Sequence, residues 1–157
     1  MDLRTQLFIG GRYVDASSGE TIAVLNPATG QVVAQVQKAG PADLRRAIAA
    51  ARGAFDGTWG PMNPYARSAL LHKVGDAIAA NAEFLAQVET DDVGKPIVES
   101  RSIDIASAAA TFHYFADICV EVMGALQPSP YNEVLDYTVH EPIGVVGAII
   151  PWNFPFL

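Results

Sequence analysis

Apolar and polar positions along the chain change period twice, and each change marks a different kind of element. Near the start, the short runs Leu7–Ile9 and Arg12–Val14 flank Gly10-Gly11. Two glycines accept the positive φ angles of a tight two-residue turn, so the stretch predicts a β-hairpin. "TIAVLNPATGQVVAQV" repeats the theme, with a turn at Asn26-Pro27-Ala28-Thr29-Gly30 between two strands. From Pro41 the period becomes helical. Proline suits a first helical position, where its missing N–H is not needed. Leu44, Ile48, Ala51 and Phe55 then recur on one face until Gly57 and Gly60. Asn63-Pro64 reads as an N-cap followed by proline, opening a helix whose stripe is Leu70, Val74, Ala77 and Ile78. A third helix is expected from Ala82 to Val93, with Leu85 and Val88 inward and Gly94 as its stop. A long fourth helix is expected from Pro96 to about Met123, striped by Ile97, Ile105, Ala108, Phe112, Phe115, Cys119 and Val122.

The second change follows "GALQPSPYNE", a connector rich in Gly and Pro. Leu135, Tyr137 and Val139 alternate with Asp136, Thr138 and His140, which predicts a strand with one wet face. After Glu141-Pro142, "GVVGAII" runs without a polar side chain, the pattern of a parallel strand covered on both faces. Such a strand needs a crossover and a partner. No residues follow to supply them, so the topology is expected to be truncated. No internal repeat or low-complexity segment interrupts the order of strands, helices and strands.

Charge narrows the partners. Ten Lys and Arg against seventeen Asp and Glu give a formal net charge of −7. Phosphate backbones demand clustered Lys and Arg, so a nucleic-acid partner is not expected, nor is docking on an anionic membrane surface. The start, "MDLRTQLFIGG", carries an acid at position 2 and only a short apolar run, unlike a signal peptide. No apolar run approaches a membrane span. The single cysteine, Cys119, permits no intrachain disulfide and suits the reducing cytoplasm. A soluble cytoplasmic protein is expected.

Candidate chemistry is sparse. His72, His113 and His140 share no metal-ligand spacing, and structural roles are expected for all three. Cys119 lies among apolar positions with Asp117 and Glu121 as its ionisable neighbours, which suits a small core residue rather than a reactive thiol. No glycine-rich phosphate loop is visible. Asp91-Asp92 sits in the last turn of a helix, where free carbonyls already carry negative charge. Either Lys95 or a bound cation should compensate. In "PWNFP", Pro151 and Pro155 stiffen the backbone on both sides of Asn153. At the carboxyl end of a parallel strand, a rigid amide is a neutral donor suited to an oxyanion. Satisfying backbone groups in a turn is the competing role.

"EPIGVVGAIIPWNFPFL" strongly resembles the NAD(P)-dependent aldehyde dehydrogenase superfamily. "LFIGGRYVDA", "VLNPATGQVVAQV", "VETDDVGKPIVES" and "YTVHEPIGVVG" resemble that family's N-terminal segments in the same order, over about the first third of its usual length. The resemblance implies an α/β fold: the N-terminal part of a Rossmann-like cofactor-binding domain with outer helices and hairpins. Residues 1–123 would be its outer part, 124–142 part of an oligomerisation arm, and 143–157 the first sheet strand with the active-site loop. It implies oxidation of an aldehyde to a carboxylic acid with NAD or NADP, through a cysteine thiohemiacetal whose oxyanion Asn153 stabilises. Ile149, Ile150, Pro151 and Trp152 would line the cofactor, and Phe154 the substrate tunnel. Val24, Leu25 and Asp92 would hold a monovalent cation, K+ or Na+. Homodimers or homotetramers are implied. Cys119 does not match the family's nucleophile, so the chain is expected to be inactive alone. The alternative is a non-catalytic stub that associates with a full-length enzyme.

Overall fold

The computed structural model describes residues 3–157; Met1 and Asp2, including the acid that spoke against a leader, lie outside the described residues. Two antiparallel hairpins come first. Leu7–Ile9 (β1) pairs with Arg12–Val14 (β2), with Gly10 and Gly11 at φ of 62° and 75°, the left-handed values the two-glycine turn required. Thr21–Leu25 (β3) pairs with Val32–Gln37 (β4), and the register slips between Val24 and Leu25. The turn between them is tied by Asn26, whose side chain accepts the Ala28 N–H at 2.9 Å.

Helix α1, Pro41–Ala54, begins with its proline at the first position and runs into a π-helical turn, Phe55–Trp59. Its Asp43 is almost wholly buried and accepts the Gly40 N–H at 3.0 Å, the Ser17 N–H at 3.1 Å and the Ser17 hydroxyl at 3.0 Å. The carboxylate therefore caps α1 and pins it to the loop after β2. Helix α2, Pro64–Ala80, is capped by Asn63, which accepts the Ala66 N–H at 2.9 Å. Helix α3 spans Ala82–Val93 and ends on left-handed Gly94, as the pattern predicts.

The expected fourth helix is interrupted. A short piece, Ile97–Glu99 (α4), passes into a π-helical segment, Ser100–Ile105, and then into α5, Ala106–Ile118. It stops short of Met123 because Cys119-Val120-Glu121-Val122 and Gly124 are mostly poor helix formers. The stripe is rotated too. Ile105 and Ala108 are buried as expected, but Ala109 and Ala116 replace Phe112, Phe115 and Val122, which remain partly or largely exposed. The same holds on α1 and α2, where Leu44, Ile48, Leu70 and Val74 are exposed. The core is Ile78, Ala86, Ile105 and Ala109, flanked by Ala82, Leu85 and Ile97. Small residues let the helix axes approach closely. The larger aliphatics stay on the outer faces, where nothing among the described residues covers them.

The connector holds a second surprise. Leu126–Gln127 (β5) pairs antiparallel with Asp136–Tyr137 (β6), so the strand expected over Leu135–Val139 is short and lies in a hairpin. Ala125 and Thr138 extend it, with the Thr138 N–H donating to the Ala125 carbonyl at 2.9 Å. Neither face of β6 is dry: Leu135, Tyr137 and Val139 are all exposed. "GVVGAII" also departs from expectation. It joins no sheet among the described residues, and Ile143, Val146 and Ile149 face solvent. A parallel strand exists only through its ladder, and these residues have no partner strand here.

Candidate active site

The loop Pro151–Pro155 lies against α3 and the π-helical segment. Inside it the Phe154 N–H donates to the Pro151 carbonyl at 3.3 Å. The decisive tie comes from far away in sequence. Lys95 Nζ donates to the Asn153 carbonyl at 2.9 Å and stands 4.0 Å from the centre of the Phe154 ring. The Asn153 side chain is exposed and takes no part in these bonds. Trp152 is 85% exposed and Ile150 is also exposed.

Lys95 is itself held from below. Its ammonium lies 2.5 Å from Asp104 Oδ2 and 3.7 Å from Glu89 Oε1. Asp104 is 1% exposed and Glu89 4%. The π-helical segment brings Asp104 to this point, and it is fastened to α3 by a 2.9 Å hydroxyl contact between Thr90 and Ser100. Burial, and then a hydrogen bond with Asp104, push the Glu89 carboxyl above its ordinary 4.5, against the pull of Lys95. Sequence reasoning named neither Glu89 nor Asp104. Their signal was an acid on the apolar stripe of each helix, which only packing converts into a buried pair.

Lys95 does not do what the helix-end argument offered it to do. Its charge is engaged by Asp104 and Glu89, and Asp91 instead meets Gln87 at 3.1 Å within α3. Asp92 and Val24 line one cleft of about 630 Å³ that also takes in Asp91, Pro155 and Phe156; Leu25 is not in its wall. Two of the three candidate cation ligands thus share a cavity, and Arg4 lies in the same wall as its acids. Among the described residues no group of three or more His, Cys, Asp or Glu side chains could hold a metal ion.

The remaining candidates fall elsewhere. Cys119 is half-buried at the end of α5, its Sγ against the carbonyls of Ala116 at 3.2 Å and Pro64 at 3.4 Å. Those acceptors suit a thiol. His72 and His113, 41 residues apart, form a pair that spacing did not reveal. Their Nδ1 atoms are 2.9 Å apart, so one ring donates and the other accepts. Asp117 and Asp76 face the outer Nε2 atoms at 3.1 and 3.6 Å. The pair bolts α2 to α5.

Residues 13–157 match the aldehyde dehydrogenase family, and the chain belongs to it. It is 44% identical over 154 residues to aldehyde dehydrogenase family 2 member B4, mitochondrial, of Arabidopsis thaliana. That match covers 98% of this chain and 28% of the relative. The crystal structure of PnpE in complex with nicotinamide adenine dinucleotide superposes with a TM-score of 0.94 at 40% identity, over 98% of this chain and 31% of PnpE. The aldehyde dehydrogenase KauB from Pseudomonas aeruginosa superposes at 0.96 with 39% identity, over 99% of this chain and 32% of its own. The chain therefore spans about a third or less of the length of the relatives it matches. No helix among the described residues is long and apolar enough to cross a membrane.

Proposed function

We propose that these residues serve NAD(P)-dependent oxidation of an aldehyde, and that Asn153 supplies the amide that stabilises the oxyanion. The observation that carries the reading is the division of labour within one residue. The Asn153 carbonyl is committed to Lys95, while its side chain stays exposed on a loop stiffened by two prolines. An amide held this way can meet developing negative charge without a proton transfer and without reorganising as the charge forms.

Bound NAD or NADP would take the hydride, and the PnpE complex supports such a cofactor for this family member. Ile149, Ile150, Pro151 and Trp152, which lead into the Asn153 loop and are exposed, would line the cofactor through their backbone. Phe154 keeps part of its surface exposed while its ring rests on Lys95, which suits the wall of a substrate channel. Val24 and Asp92 would contribute to a monovalent cation site, with Leu25 as its least supported member. Residues 1–123, 124–142 and 143–157 would act as the outer layer, part of an oligomerisation arm and the cofactor strand with its loop, in a homodimer or homotetramer. Localisation would be cytoplasmic.

In this reading Cys119 is not the nucleophile: its Sγ rests against the carbonyls of Ala116 and Pro64 at the end of α5. The chain alone should turn over no aldehyde. In a full-length aldehyde dehydrogenase with these residues as its N-terminal segment, Asn153→Ala should lower kcat by about 10²–10³-fold, the scale for one lost oxyanion donor. Unchanged turnover, with chemistry shown to be rate-limiting, would remove Asn153 from the mechanism.

A further inference from the structure

Lys95 joins the buried acids of the helical layer to the exposed loop by a hydrogen bond. Its side chain is 13% exposed, and its contacts divide into two sets. Below are Asp104 and Glu89, on the π-helical segment and on α3. Above are the Asn153 carbonyl and the Phe154 ring, 58 residues away in sequence. An ammonium has three hydrogens to give. Asp104 takes one and Asn153 a second. Glu89 Oε1, at 3.7 Å, is too far for a good hydrogen bond and has no other partner among the described residues.

The ammonium is paired with Asp104, and Glu89 stands behind it with its carboxyl held above the ordinary 4.5, first by burial. Just beyond the loop, Phe156 joins Pro155 in a cleft with Val88 and Glu89, so the far end of the loop also meets the helical layer. The loop's internal hydrogen bond is long, at 3.3 Å, and residues 143–150 belong to no sheet among those described. The Lys95 bond restrains ψ of Asn153, and with it the backbone around the Cα from which the amide projects.

We infer that Lys95 is a positioning residue for Asn153, fixing the backbone from which the amide projects by a bond to its carbonyl anchored on Asp104. The inference rests on the reading of Asn153 as oxyanion donor. Lys95 touches neither substrate nor the reacting atoms in this scheme; it acts through Asn153. Because a displacement of about 1 Å can cost 10²-fold in rate, loss of the tie should appear in kcat rather than in KM for the cofactor.

The test is a double-mutant cycle in a full-length aldehyde dehydrogenase that carries these residues as its N-terminal segment. Lys95→Met should lower kcat by about 10–10²-fold. In an Asn153→Ala background the same change should cost less than about threefold, because the group it positions is gone. Lys95→Arg should recover most of the lost rate. Lys95→Met leaves Asp104 buried without a counter-charge, so Lys95→Met/Asp104→Asn is made alongside it. That pair removes both charges and should reproduce the kcat loss with native circular dichroism. A full Lys95→Met penalty in the Asn153→Ala background would overturn the inference and leave the reading of Asn153 standing. So would normal turnover in either lysine-to-methionine variant when Asn153→Ala alone is impaired. Unchanged turnover in Asn153→Ala itself would overturn the reading of Asn153 and the inference with it.

Discussion

Gly94 joins the end of α3 to Lys95, and replacing it with alanine should be far more costly than its size suggests. Two separable terms act. The first is conformational: Gly94 sits at φ 80°, ψ 10°, where an L-residue pays about 1–2 kcal/mol. A stiffer unfolded chain returns only about 0.4–1 kcal/mol. The second is steric: a Cβ at Gly94 would lie 2.5 Å from Pro27 Cγ and 3.3 Å from Pro27 Cβ. Carbon atoms pack at about 3.5–4.0 Å, so the last turn of α3 or the β3–β4 turn must move by about 1 Å. Neither yields readily, because Asn26 ties the proline's turn at both the Ala28 and Gly30 N–H groups. Overpacking of this kind costs about 1–3 kcal/mol. The net loss for Gly94→Ala is then about 2–4 kcal/mol, a large part of a domain's usual 5–15. With a urea slope of about 2 kcal/mol/M, the unfolding midpoint by circular dichroism should fall by about 1–2 M. The two terms can be told apart by a cycle with Pro27→Ala, which removes the ring carbon in the clash. The pair should couple favourably by about 1 kcal/mol or more, leaving the conformational term behind. An unshifted midpoint with an unchanged slope would refute the argument. Additive variants would show that the helix end and the proline turn do not press on each other.

Three more predictions concern the core and its acids. Gly75→Ala would place a Cβ 2.7 Å from His113 Nε2, so the gain in helix propensity should be outweighed and stability should fall by about 1–3 kcal/mol in the same urea assay; a stabilised variant would show that the histidine pair gives way freely. Asp43 is held below its ordinary 3.8, first by the Gly40 N–H and then by Ser17 and Arg46. Its folded form therefore binds fewer protons, and its stabilisation is complete above about pH 4 and lost as pH falls through the folded value. Glu89 has the opposite sign. Its raised value means that stability declines as pH rises from about 4.5 toward the folded value, and Glu89→Gln should remove that decline. A pH–stability curve unaltered by Glu89→Gln would contradict the upward shift of its carboxyl.

Much of the local structure was legible because it depends on chemistry within a few residues. Gly10-Gly11, Asn63-Pro64, Pro41 and Gly94 each mark a backbone state that few other residues adopt, and each stands where the pattern put it. The hairpin of Leu126–Gln127 with Asp136–Tyr137 was not legible, since two-residue strands carry too little alternation to register. The helical stripes were misjudged for a different reason. Periodicity identifies an apolar face but not which part of it meets a neighbour, and here Ala86, Ala109 and Ala116 meet neighbours while Phe115 and Leu44 do not.

The candidate site divides along the same line. Asn153 could be singled out from its sequence, because two prolines around a lone amide in an apolar run are a local signal. What the amide rests on could not. Glu89, Lys95, Asp104 and Asn153 are separated by six, nine and forty-nine residues, and no spacing rule links them. Their union depends on a π-helical turn that rotates Asp104 inward, and on an apolar setting that makes charge pairing obligatory once the groups are buried. By itself the sequence determined the turns, the caps, the family and the choice of Asn153 as the candidate oxyanion donor, because these follow from local backbone preferences and short motifs. Only the tertiary structure decided which side chains are buried and that Lys95 serves the Asn153 loop rather than the acids at the end of α3, because burial and charge pairing are properties of surfaces that distant segments make together.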